Sequence, residues 1–105
     1  MEPVSLYITA ANREEAILLS RELAGERLIA CANIIENVTS IYWWQDEIEQ
    51  HPEVVIIAKT LSSLVDRITA KVKGLHSYSC PCVVAMPVIG GNPEYIEWIR
   101  KEVKE

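Results

Sequence analysis

From Val4 to Ala10 the chain reads Val-Ser-Leu-Tyr-Ile-Thr-Ala, with apolar positions at every second residue. Successive side chains of a strand point to opposite faces. Val4, Leu6, Ile8 and Ala10 therefore predict the buried face of a half-buried strand, with Ser5, Tyr7 and Thr9 on the other side. After this the period lengthens. Asn12 is placed as a helix N-cap with Glu15 three residues on, as in a capping box. Glu14 and Glu15 put negative charge at the positive end of the helix dipole. Ala16, Leu19 and Leu23 make one apolar stripe, and Gly25 is the expected stop.

A long extended stretch follows, from Leu28 to Trp44, with a turn at Gln45-Asp46 and a return through Glu47 to Gln50. His51-Pro52 is expected to break that strand. Glu53 to Thr60 then reads as a strand apolar on both faces until Lys59. Ser62 or Ser63 is the expected cap of a second helix, on which Leu64, Val65, Ile68, Val72 and Leu75 recur at helical spacing and Gly74 marks the stop. Ser77 to Cys82 reads as loop, and Val83 to Ile89 as a strand ended by Gly-Gly-Asn-Pro. Asn92 as N-cap with Pro93 at the first helical position starts a last helix carrying Tyr95, Ile96, Ile99 and Val103 on one side. The order predicts a single domain over residues 1–105 of the α+β class. It is a ferredoxin-like βαββαβ antiparallel sheet with helices on one face, a C-terminal helix and a long β-hairpin.

The pattern leaves a surplus. Tyr42, Trp43 and Trp44 stand in a row, so both faces of their strand are apolar, while the helices cover only one face of the sheet. A large aromatic side chain buries ~150–250 Å² when covered, and a bare cluster of three is an unusual solvent surface. Tyr42, Trp43 and Trp44 are therefore expected at an interface with another copy of the chain. Packing of Trp43 beneath the terminal helix, against Trp98, is the internal alternative.

Composition narrows the function classes. Half of the 105 residues are hydrophobic, enough for one core without disulfides or metal. The net charge of −5 and the scattered basic residues argue against a nucleic-acid partner. Three cysteines, two of them one residue apart, do not read as a secreted disulfide framework. Met1 to Asn12 has an acidic residue at once and no basic segment, so no signal peptide is expected. The apolar runs are too short to cross a bilayer. The expectation is a cytoplasmic protein with reduced thiols and no membrane partner.

Several segments together resemble the CutA family of divalent-cation tolerance proteins: Ala30 to Ile35, Val38 to Trp44, Ala58 to Thr60, the His76-x-Tyr78-x-x-Pro81 loop, and Gly90 to Ile99. The Thr39-Ser40-x-Tyr42-x-Trp44 string, with the downstream Lys-Thr and the Asn-Pro-x-Tyr helix start, is the most specific part. The resemblance covers nearly the whole chain. It implies a ferredoxin-like protomer in a tight homotrimer, with hairpin strands joining sheets between subunits. It also implies a link to divalent metal tolerance, copper especially, and copper binding by some members. The family's loop usually reads His-Pro-Tyr-Glu-x-Pro-Glu. Here it reads His76-Ser77-Tyr78-Ser79-Cys80-Pro81-Cys82, so two carboxylates have been replaced by two thiols.

His76, Cys80 and Cys82 are accordingly the candidate metal ligands, because imidazole and thiolate suit copper or zinc. No cofactor is obligatory. The competing reading places both thiols in core or loop packing, since free cysteine is often buried and inert. Cys31, in an apolar strand start, is expected to pack in the core. His51 is expected in a surface turn. Lys59 ends an apolar strand and is expected either to snorkel or to face an intersubunit ligand cleft with Trp44 and Tyr78. No phosphate loop or catalytic triad stands out, and a non-enzyme is expected. A small-molecule-binding signalling trimer like the nitrogen-regulatory PII proteins, and a structural or partner-binding trimer with incidental metal binding, are the alternatives.

Overall fold

The alternating residues of the first segment form strand β1 (Pro3–Ala10), in a computed structural model that describes residues 2–105. Helix α1 (Arg13–Gly25) follows, then strands β2 (Cys31–Trp44) and β3 (Glu47–Leu61), helix α2 (Val65–Leu75), strand β4 (Val83–Pro87) and helix α3 (Pro93–Glu102). The strands form one antiparallel sheet in the order β2-β3-β1-β4, the ferredoxin-like arrangement.

Residues directly opposite each other across a ladder share a face. Leu6 pairs with Ala58, and Ile8 with Ile56. These side chains meet Ala16, Leu19 and Leu23 of α1 and Ile68 and Val72 of α2 in one core. The other face carries Ser5, Lys59 and Cys31 in one row and Tyr7, Ile57 and Asn33 in the next. Cys31 thus lies half-buried on the face away from the core, not in it as expected. Helix α3 passes the end of the sheet. Ile99 and Val103 join the core, while the Tyr95 hydroxyl lies 3.3 Å from the Cys31 sulfur.

Several boundaries differ from the sequence expectation, each for a local reason. His51-Pro52 does not break β3, and Pro52 sits in the ladder opposite Thr39. Strand β1 ends at the Ala10–Val54 pair, so at Pro52 β3 has β2 alone for a neighbour. Proline is tolerated in a strand with such an open edge. Helix α1 closes through Arg27 at φ 61°, with the Leu28 amide bonded to the Leu23 carbonyl and the Arg27 amide to that of Ala24. The Schellman closure falls there rather than at Gly25. No serine caps α2. A single 3-10 turn (Ser62–Leu64) leads into it, and Ser63 instead donates to Glu105. Helix α2 runs one residue past Gly74, and β4 stops two residues short of Ile89. The expected N-caps hold: Asn12 accepts from the Glu15 amide and Asn92 from that of Glu94.

The hairpin of β2 and β3 projects as an arm. Its two-residue turn places Gln45 and Asp46 at φ 50° and 66°, the twist a tight hairpin favours. At Glu36-Asn37 the β2 strand bulges, with Asn37 at φ 64°, and such an insertion bends a strand and increases its twist. The molecule measures 43 × 25 × 22 Å with a radius of gyration of 14.1 Å, against about 13 Å for a globule of this length. Its surface of 6619 Å² exceeds the roughly 5,900 Å² usual for its mass. On the arm, Trp43, Ile41 and Ile48 share the helix-side face beyond the helices, and Trp43 is 71% exposed. It does not pack beneath α3, where Trp98 pairs with Tyr95 instead.

Candidate functional site

The loop between α2 and β4 folds back over the end of β1 because buried polar groups hold it there. Glu15 is the anchor. One of its oxygens accepts the Ala11 amide at 2.9 Å, and the other accepts the Ser77 amide at 2.9 Å. Burial pushes its pKa up, but the hydrogen bonds from Ala11 and Ser77 outweigh this and hold it below the usual carboxylate value. A helix-capping residue thereby also fixes a loop distant in sequence.

His76 is buried at the root of that loop. Its Nδ1 accepts the Tyr78 amide at 3.0 Å, and its Nε2 donates to the Thr9 carbonyl at 2.7 Å. An amide can only donate and a carbonyl only accept, so these bonds fix the neutral ring with its proton on Nε2. The Tyr78 ring packs against it with centroids 4.6 Å apart. The Tyr78 hydroxyl then donates to Glu53 Oε2 at 2.6 Å. Burial, followed by the hydrogen bond and charge of Glu53, pushes the Tyr78 phenol far above its ordinary value.

Glu53 is only 8% exposed although it carries a carboxylate. It shares the open face of the sheet with Val55 and Ile57, opposite Val38. Around it the loop and the arm enclose a groove of about 750 Å³ whose walls include Tyr7, Tyr42, Trp44, Tyr78, Cys80 and Cys82. Tyr42 and Trp44 stay 40% and 45% exposed. Cys80 is exposed at the rim, and Cys82 lies half-buried with its sulfur 3.9 Å from the Tyr7 carbonyl. Burial raises the Cys82 thiol pKa, and the charges of Glu53 and Cys80 raise it further.

The structure thus brings Tyr42, Trp44, Tyr78, Cys80 and Cys82 to one groove, with His76 beneath it. Lys59 is not among them. It lies six residues along β3 from Glu53, roughly 20 Å at strand rise, in a second hollow of about 380 Å³ with Val88, Tyr95, Ile96 and Ile99. Within one protomer the expected grouping of Lys59 with Trp44 and Tyr78 is therefore not made. Among the described residues no three His, Cys, Asp or Glu side chains gather as a preformed metal cluster. His51 lies in β3 beside Glu49, not in a turn. Glu53 and Glu15, the two carboxylates that organise the site, were not expected there. Glu53 had one usable signal: it shares the odd-numbered face of an otherwise apolar strand.

The sequence profile of the family described as CutA1 divalent ion tolerance protein matches residues 4–102. The protein named CutA 1, chloroplastic, of Oryza sativa is 37% identical over 102 residues, which is 97% of this chain but 58% of that relative. The divalent-cation tolerance protein CutA of Thermus thermophilus is 41% identical over 101 residues, 96% of this chain and 97% of the relative. The crystal structure of CutA1 from Oryza sativa superposes with a TM-score of 0.96 at 36% identity, covering 100% of this chain and 96% of that one.

Proposed function

Because the chain belongs to the CutA1 divalent ion tolerance family, we propose that it acts in divalent metal ion tolerance as a homotrimer that binds the metal without catalysing a reaction. The observation that carries the assembly is the arm. Its β2 strand carries Ile41 and Trp43 on one face and Tyr42 and Trp44 on the other, and Trp43, Ile41 and Ile48 are 71%, 66% and 62% exposed among the described residues. Sister chains covering those side chains would bury ~150–250 Å² for each large aromatic, and exposed apolar patches of that extent mark interaction surfaces.

For the metal, copper or zinc is the cargo that suits the donors. Cys80 offers a soft sulfur at the rim of the groove and Cys82 a half-buried one in its wall. His76 fits less directly, since it would have to release the Tyr78 amide or the Thr9 carbonyl to bind. The site is read as a two-thiol site that gains its remaining ligands from water or a neighbouring subunit. The three free cysteines suit the reducing cytoplasm. No helix of the described residues is long and apolar enough to cross a membrane.

Native mass spectrometry with and without Cu(II) or Zn(II) reads subunit number and metal stoichiometry together. A trimer with saturable metal binding is the expected result. A stable single subunit at dilute concentration overturns the assembly. A binding isotherm unchanged by Cys80→Ser with Cys82→Ser overturns the assignment of the metal to this loop.

A further inference from the structure

We propose that the groove between the arm and the 76–82 loop binds a small organic ammonium ion, with Glu53 as the counter-charge and Tyr42, Trp44 and Tyr78 as aromatic walls. This goes beyond metal binding and uses different atoms of the same region. A buried carboxylate is costly unless something compensates it. Tyr78 satisfies one oxygen of Glu53, and the other, which meets no donor among the described residues, is not sealed from solvent and stays open to a ligand. No lysine or arginine lines the groove. The residual negative charge at its floor therefore has no counter-ion among the described residues.

The walls select the kind of cation. Aromatic faces attract a positive charge through the ring quadrupole, and most strongly a large, weakly hydrated cation that sheds water easily. A divalent metal would seek several hard or anionic ligands at short distance. Apart from the two thiols on the 76–82 loop side, the groove offers one carboxylate, set among aromatic walls. Its volume of about 750 Å³ lies within the range of small-ligand pockets, ~300–1,000 Å³. The Tyr78 phenol stays neutral and points its hydroxyl at Glu53, so the carboxylate is held in place before any ligand arrives. In an assembled trimer a sister chain lying on the arm would shut the open side.

The probe is choline, compared by calorimetry and tryptophan fluorescence with its neutral isostere dimethylbutanol, on the assembled protein freed of metal by chelation. Choline is expected to saturate one site per protomer and to quench tryptophan emission. The isostere is expected to bind about tenfold or more weakly, the scale set by losing a charged partner. Glu53→Gln keeps an acceptor for Tyr78 and should erase the preference for choline. Saturable choline binding while the chelator is present separates this site from the thiol metal site. Equal binding of choline and its isostere to the unaltered protein overturns the proposal, even if the Glu53 variant fails to fold. Absence of saturable choline binding overturns it too, as it would if a neighbour's lysine or arginine already filled the groove.

Discussion

The Tyr78 hydroxyl sits 2.6 Å from Glu53 Oε2, and this one bond ties the α2–β4 loop to the open face of the sheet. Tyr78→Phe keeps the ring stacked on His76 but strips the donor from a buried carboxylate. The expected loss is ~1.5–3 kcal/mol, read as a lower urea midpoint at fixed protomer concentration. The pH dependence has a definite sign. The folded phenol has a raised pKa, so its contribution is complete below the ordinary tyrosine value of about 10 and fades as pH rises through the folded value. The phenylalanine variant should lack that alkaline decline. An unchanged urea midpoint would show that the bond contributes nothing.

Glu15 titrates at the opposite end of the scale. Its folded pKa lies below the ordinary 4.5 because the hydrogen bonds from Ala11 and Ser77 outweigh the cost of burial. Its contribution is thus present above the ordinary value and is lost as pH falls through the folded one. Glu15→Ala should cost ~1–3 kcal/mol at neutral pH, from two amides left without an acceptor, and should flatten the acid limb of the stability curve. Because Glu15 holds the Ser77 amide, the same variant should speed hydrogen exchange there. Retention of wild-type exchange at Ser77 would refute the anchor.

Much of the fold was legible because it is written in period. The alternation from Val4 to Ala10 and the stripe of Ala16, Leu19 and Leu23 face the same core, and both caps at Asn12 and Asn92 are local. What was not legible depends on partners far along the chain. The spacing of His76 with Cys80 and Cys82 suggests a ligand set, but its Nε2 is engaged by a carbonyl 67 residues away. Within one protomer the ladder register sets Lys59 opposite Cys31, far from Trp44, so the expected cleft joins them only across subunits. Pro52 signals a break only if β3 is flanked on both sides, and at that point it is not. Register and strand order decide these cases, and no window of sequence carries them.

Trp43 reports on assembly. At 71% exposed in the protomer, it can be replaced without disturbing the core. Trp43→Glu should therefore leave the circular dichroism of the fold unchanged while placing a charge in the proposed contact. Burying an unpaired carboxylate is expensive, several kcal/mol in an apolar setting. Sedimentation should show trimer for the unaltered protein and smaller species for the variant at the same concentration. A variant that sediments as wild type would place Trp43 outside any subunit contact.

Thr60 is the most buried hydroxyl of the sheet. It is fully enclosed, and its Oγ1 donates to the Leu28 carbonyl at 2.6 Å. That bond fastens the segment leaving α1 to the far end of β3, where the Ala30 amide also bonds the Lys59 carbonyl. Thr60→Val conserves shape and β-branching but leaves the Leu28 carbonyl without this donor. The expected cost is ~1–3 kcal/mol, the desolvation of an acceptor left unmatched. Thr60→Ser keeps the hydroxyl and loses only a methyl group, about 1 kcal/mol. Urea unfolding of the two variants should therefore rank valine below serine, although valine is the more apolar. The reverse ranking would mean that packing, not the hydrogen bond, accounts for the threonine.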